Sequence, residues 1–493
     1  MRFCTIILIS VLFHQALFGQ TKYSEQYRPQ IHFSPGAHWM NDPNGMVYND
    51  GLYHLFFQYY PDSTVWGPMH WGHAMSSDMI HWKEQPIALY PDSLGYIFSG
   101  SAVVDIHNTS GFGKDGKAPL VAIYTSHNIA GERGGRNDFQ TQSIAFSLDN
   151  GNKWTKYEGN PVIKNPGIKD FRDPKVMWYE EQKKWIMILA VHDHVSFYSS
   201  PNLKIWTKES DFGENIGAHG GVWECPDIFS LADNGKKVWV LISSMNPGAP
   251  NGGSGTQYFL GSFNGKVFTP FDTTTKWIDY GPDDYAGVTW SNTGDRKVFL
   301  GWMSNWDYGK VVPTVEWRSA MTIPRELRME HVGDRIFLAS KPVRELDEIS
   351  FDRSTMDNIE ETSRKLSIPG RIDLDIENAN DFSITLSNDN GEEVVIGFDK
   401  KQNQYFINRR KSGNVAFYKS FAARHTAPRL APGKNINMSL IIDVASVELF
   451  ADDGLTVMTE IFFPSKPYDQ LHVRSTVPIK KISFSALESI WHN

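Results

Sequence analysis

Cysteine is almost missing from this chain: Cys4 and Cys225 are the only two in 493 residues. Once a leader carrying Cys4 is removed, no internal disulfide can form, so packing alone must hold the fold. Long apolar runs are missing too. The stretch from Thr5 to Phe13 falls well short of the ~20 residues a membrane-spanning helix needs. No basic block occurs and the formal net charge is −8, which excludes nucleic acid and anionic membrane as expected partners. Before about residue 340 no segment keeps a 3.6-residue apolar period, which excludes a helical architecture there. Metal motifs are absent as well. No dense Asp/Asn loop around a glycine suggests calcium, and no ligand spacing suggests zinc. The histidines at 70, 73 and 81, and the His192-Asp193-His194 cluster, belong to no such motif.

What is present begins with a leader. Arg2 supplies a positive end and the apolar run follows; cleavage after Gly19 would open the mature chain at Gln20 or Thr21. Residues 1–20 are thus expected to be a signal peptide, and export to the periplasm or the medium follows. Cys4 precedes the apolar run, so no lipobox is read. Aromatic residues make up 13% of the chain, with 16 Trp. That abundance suits a Trp-rich β architecture or a carbohydrate site, where flat rings stack on sugar faces.

Strand signals dominate. Short apolar or alternating runs bounded by Gly, Asn, Asp and Pro occur at Gly51–Tyr59, Pro119–Ser126, Trp185–Val191, Val238–Ser244 and Val298–Ser304. A loose repeat overlies them: Ser77–Trp82, Ser147–Trp154, Ser200–Trp206 and Ser262–Phe268 each place Asp or Asn after a small polar residue and end on an aromatic. A four-stranded unit needs about 40 or more residues, so residues 25–335 hold about five such units. This predicts a five-bladed β-propeller over residues 21–340. The polar stretch 341–365 reads as a linker with a short helix. Further short strands, from Arg371–Glu377 to Val457–Phe462, predict a β-sandwich over residues 366–493. Arg409-Arg410-Lys411 reads as a solvated hairpin tip. The chain is therefore expected to be all-β, with two domains, as its length also suggests.

Three carboxylates stand beside prolines. Trp39-Met-Asn-Asp-Pro-Asn-Gly45 holds Asp42 on a segment read as neither helix nor central strand, because Pro43 fixes its own φ and Asn44-Gly45 demands a turn. Asp173, in Asp170-Phe-Arg-Asp-Pro-Lys175, is expected in an extended backbone ahead of Pro174. Arg172 and Lys175 are expected to keep it ionised. Glu224, in Trp223-Glu-Cys-Pro-Asp227, has apolar neighbours that would raise its pKa, as a general acid near neutral pH requires. Three carboxylates on three blades can converge at a central funnel. One acid with one nucleophile or base is the chemistry of glycoside hydrolysis.

These motifs, with Trp71-Gly-His-Ala74, Phe98-Ser-Gly-Ser101, Asp279-Tyr-Gly-Pro282, Gly301-Trp-Met-Ser304, Trp317-Arg-Ser-Ala-Met321 and Ser446-Val-Glu-Leu-Phe450, resemble the glycoside hydrolase family 32 β-fructosidases. That family comprises invertases, inulinases, levanases and fructan exohydrolases. The resemblance covers essentially the whole mature chain. It implies the same propeller and sandwich, a retaining mechanism, and no metal or organic cofactor. It implies Asp42 as nucleophile, Glu224 as acid/base and Asp173 as stabiliser of the transition state. Asn41, Gln58, Trp66, Phe98, Ser99, Arg172, Tyr285 and Trp302 match positions that bind the terminal fructose. The expected activity is release of terminal β-D-fructofuranosyl units from levan or inulin, with sucrose as a further substrate. Endo-acting levanase, fructosyltransferase and a fructan-binding protein without catalysis are the alternatives. Linkage preference and oligomeric state stay open at this point.

Overall fold

The computed structural model describes residues 23–491; the expected leader, residues 1–20, and Cys4 lie outside them. Five antiparallel sheets form the blades of a propeller. The first blade is built from His38–Asn49, Leu52–Tyr60, His70–Ser76 and Lys83–Leu89, and the second from Tyr96–Val104, Leu120–His127, Gln140–Ser147 and Thr155–Lys156. The third runs from Phe171–Tyr179 to Thr207–Phe212, the fourth from Val222–Asp233 to Phe268–Pro270, and the fifth from Tyr285–Thr289 to Arg335–Pro342. The first strand of every blade packs against the first strands of its neighbours, so five inner strands surround the axis. The ring closes where His38 and Trp39 pair in parallel with Trp317 and Arg318.

The repeat seen in the sequence is the turn between the third and fourth strands of the first four blades. Asn and Asp side chains cap these turns through their own backbone: Asp78 accepts from the N–H groups of Ile80 and His81, and Asn202 from Lys204 and Ile205. The closing tryptophans fold back onto the same turns, with Trp154 Nε1 donating to Gly151 O and Trp206 Nε1 to Leu203 O. The fifth blade turns at His331–Arg335 without that signature.

The C-terminal part is one ten-stranded antiparallel sheet folded into two layers. The 18-residue strand Gln470–Leu487 spans both. Its first half pairs with Phe382–Ser387 and its second half with Gly370–Ile376. Ile384, Ile396, Leu440, Leu449 and Ile482, contributed by both layers, share one core. The stretch expected as a linker is different: Arg344–Ile349 is a 3₁₀ turn and Ser350–Lys365 a 16-residue strand along Gln470–Leu487. That strand lies at an edge with most of its side chains exposed, so it lacks the apolar alternation that marks a half-buried strand.

Two buried ionic clusters join propeller and sandwich. Arg325 meets Asp279, Asp284 and Glu448, and His32 bridges Asp443 (2.7 Å) and Glu448 (2.9 Å). Arg409 is not a solvated tip residue: it is 1% exposed and pairs with Asp283 at 2.6 Å, while Arg410 and Lys411 stay exposed. A Cβ at Gly281 would lie 2.2 Å from the backbone of Thr459, so that junction requires glycine. Asp279-Tyr-Gly-Pro282 and Ser446–Phe450 thus act at the domain junction.

Candidate active site

Each of the five inner strands breaks its pairing register near its start. The breaks fall between Met40 and Pro43, Ile97 and Gly100, Arg172 and Lys175, Glu224 and Asp227, and Tyr285 and Val288. A bulge leaves extra residues unpaired and re-aims their side chains. The residues so released include Asp42, Ser99, Asp173 and Cys225. Pro174 and Pro226 sit inside bulges, where a missing N–H leaves no ladder bond unmade. Two expectations are corrected here. Asn44-Gly45 makes no chain-reversing turn: the 12-residue strand His38–Asn49 runs through it with a register shift. Asp42 lies on that strand where only one side is paired, so the strand is not central there and Pro43 is tolerated. Asp173 is not extended: its φ is 62°, and Cys225 (φ 44°) and Ala286 (φ 54°) are left-handed as well. The bulge geometry overrides the ordinary preference of a residue before proline.

The side chains converge at the axis. Asp42 is partly exposed and is gripped on both oxygens: Asn41 Nδ2 donates to Oδ1 at 2.8 Å and Ser99 Oγ to Oδ2 at 2.7 Å. Trp39 Nε1 in turn donates to Asn41 Oδ1 at 2.6 Å, so the amide cannot flip. The Cys225 thiol lies 3.5 Å from Asp42 Oδ2 and 3.7 Å from Asp173 Oδ2, and its backbone N–H donates to Asp173 at 3.0 Å. The Asp173 N–H donates to Thr125 Oγ1. Glu224 does not sit in an apolar setting: Arg172 donates to one of its oxygens at 2.8 Å and the Tyr285 hydroxyl to the other. Trp223 turns away to Ala218 and Phe259.

Charge sets the electrostatics. Burial pushes the Asp42 carboxyl up and the nearby Glu224 charge pushes the same way, while Ser99 and Asn41 act against both. Burial pushes Asp173 up to about 7, despite Arg172, and the charges of Glu224 and Asp42 add to it. The two cations were expected to keep Asp173 ionised. Instead Arg172 is shared, its guanidinium reaching Asp170 at 2.6 Å and Glu224 but Asp173 only at 3.9 Å. Lys175 points away, to Asp227 and the Thr289 carbonyl.

The remaining candidates surround this group. Phe98 stacks on His127 (4.1 Å between centroids) and meets Trp66 edge-on. Gln58 is buried and donates to the Ile97 carbonyl. Trp302 has no exposed surface, and its Nε1 has no hydrogen-bond partner among the described residues; it lies behind Tyr285 and Trp39. Sequence reasoning missed Asp170, Thr125, Trp306 and Lys310. Trp306 is half-buried against Trp39 and Trp302, and Lys310 lies over the rings of Trp66 and Trp306. Asp170, two residues before Arg172 in the same motif, carried a readable signal; Thr125 carried none. Among the described residues no group of three or more His, Cys, Asp or Glu could hold a metal ion. Also among them, no helix is long and apolar enough to cross a membrane.

Comparison with known proteins adds to this geometry. The profile of the glycosyl hydrolases family 32 N-terminal domain matches residues 32–342, and that of the family's C-terminal part matches residues 342–488. The chain is 43% identical to a levanase of Bacillus subtilis over 98% of its own length and 74% of the relative's. It is 42% identical to an extracellular exo-inulinase of Aspergillus niger, over 92% of each. The crystal structure of exo-inulinase from Aspergillus awamori superposes with a TM-score of 0.88 at 38% identity, covering 95% of this chain and 100% of that one. A β-fructofuranosidase from Schwanniomyces occidentalis, complexed with fructosyl-erythritol, gives 0.87 at 34% identity, over 95% and 99%.

Proposed function

The chain belongs to glycosyl hydrolase family 32, and from that premise and the site we propose that it is an exo-acting, retaining β-fructosidase of fructans. It removes terminal β-D-fructofuranosyl units from levan or inulin and also splits sucrose. The observation that carries this is the convergence of Asp42, Asp173 and Glu224 from three separate blades, with Cys225 touching the first two and adjoining the third.

Asp42 is the nucleophile. Donors from Asn41 and Ser99 leave its carboxylate aimed and restrained, and it attacks the anomeric carbon of the terminal fructosyl unit. Glu224 protonates the departing glycosidic oxygen, then takes a proton from the water that frees fructose. Arg172 and Tyr285 hold that carboxyl in place. Asp173 does not react; it binds sugar hydroxyls and, in its ionised form, stabilises the positive charge that develops on the ring. Trp66, Phe98 and Ser99 form the wall of the fructose pocket, with Asn41, Gln58 and Trp302 backing it. No organic cofactor enters these steps. The propeller, residues 21–340, carries the chemistry and the C-terminal sheet buttresses it through the buried ionic clusters. The leader, residues 1–20, exports the chain, a reading supported by relatives named as extracellular.

Time-resolved chromatography of products from levan, inulin and sucrose tests the proposal. Fructose alone from the first minutes is expected. A ladder of oligosaccharides from either polymer would replace exo with endo cleavage. Products longer than the substrate would indicate transfer to a sugar acceptor.

A further inference from the structure

The inner strands run on from the carboxylates to a second cavity at the opposite end of the axis. Strand Phe171–Tyr179 carries Asp173 near its start and Lys175, Met177 and Trp178 farther on. Val222–Asp233 likewise carries Glu224 and then Asp227 and Phe229. The cavity holds about 430 Å³, within the range of small-ligand sites, ~300–1,000 Å³.

Its lining is built for a neutral, hydroxyl-rich ligand. Trp178 is half-buried at the wall, braced edge-on by Trp185 at 5.0 Å, with its Nε1 held by Glu180. Trp239 lies on the same lining. Lys175, Lys237 and Lys297 are balanced there by Asp227, Glu180 and Glu181, so no single charge is selected. Lys175 pairs with Asp227 at 3.1 Å, and the Thr289 N–H and hydroxyl also donate to Asp227, so that charge is held within the wall. Ser230, Ser291 and Asn292 add hydroxyl and amide groups to the lining. Aromatic wall, balanced charge and neutral polar groups together match a sugar ring better than a phosphate, a carboxylate or an apolar molecule.

We infer that this cavity is a non-catalytic carbohydrate site that holds a segment of the fructan chain while the catalytic pocket works on an end. The inference rests on the proposed fructan specificity. Holding a polymer at a second point raises the effective concentration of its ends at the pocket. Short substrates cannot reach both places and gain nothing.

The test uses the full chain and two variants acting in opposite ways. Trp178→Ala removes the aromatic wall and Ser230→Trp fills the cavity; neither residue belongs to the catalytic pocket. Retention on levan and inulin is read by affinity electrophoresis, and kcat/KM is measured on each polymer and on sucrose. About tenfold weaker retention and a matching fall in polymer kcat/KM are expected in both variants, equivalent to ~1.4 kcal/mol. Sucrose turnover should stay within about twofold. Parent-like retention and polymer turnover in both variants would overturn the inference, and so would a parallel loss on sucrose and polymer. A parent chain that splits sucrose but neither binds nor degrades any fructan would instead overturn the fructan reading beneath it.

Discussion

Asp173 should make the protein less stable as it ionises, and replacing it should reverse that. The folded state keeps its proton up to about pH 7, against 3.8 for an ordinary aspartate, because the carboxyl is 5% exposed and faces Asp42 and Glu224. Below about pH 4 both folded and unfolded chains hold the proton, and nothing is lost. Between pH 4 and 7 the unfolded chain releases a proton that the native state retains, so native stability falls with pH. Above 7 the deficit is complete. At about 1.36 kcal/mol per pH unit it amounts to roughly 4 kcal/mol, an upper bound because the neighbouring carboxylates share the repulsion. Asp173→Asn keeps the shape and an oxygen for the Cys225 N–H but removes the titration. Denaturation should therefore show the variant about 2–4 kcal/mol more stable than the parent at pH 8 and equal to it at pH 4. Turnover should be lost alongside. A variant no more stable at pH 8, with the parent's pH slope, would refute the claim that crowded, buried charge is the origin of the strain.

Four other outcomes are expected. Asp42→Asn and Glu224→Gln should each lower kcat by about 10²–10⁴-fold or more with unchanged circular dichroism; a near-normal rate would remove that residue from the mechanism. Tyr285→Phe leaves one Glu224 oxygen without its donor, and kcat should fall about 10–100-fold with KM little changed, as steady-state kinetics on sucrose would show. His32 is raised to about 9 between Asp443 and Glu448, so its stabilisation is complete below its ordinary 6.5 and disappears as pH rises through 9. His32→Gln should flatten that limb, removing roughly 3 kcal/mol at pH 6 in a denaturation series. Cys225 is buried and its thiol is pushed far above the usual range, so mass spectrometry should find no iodoacetamide adduct until the chain is unfolded.

Much was legible in the linear chain because it is local. The Asx turns and their closing aromatics recur at the same place in four blades, and that recurrence exposes the propeller. The seven strand runs named from the sequence fall within one or two residues of strands in the structure, since an apolar run bounded by turn residues marks a buried strand. Prolines beside Asp42, Asp173 and Glu224 marked three segments as unusual, and the motif set around them pointed to one family. Ser350–Lys365 escaped detection because an exposed edge strand has no buried face to impose a pattern.

The rest depends on what distant segments bring to one place. Arg409 lies in a basic triplet that reads as surface, and it becomes buried only because Asp283, some 126 residues away, meets it. Lys175 adjoins Asp173 in sequence, yet the bulge turns it to Asp227 on the next blade. Glu224 has apolar sequence neighbours, but its real surroundings are Arg172 and Tyr285 from two other blades. The residues and turns that build each blade are thus written along the chain. Which charges face one another, and so which protons the site holds, is decided where five bulged strands meet around one axis, because electrostatic energy depends on distance in space and not on separation in sequence.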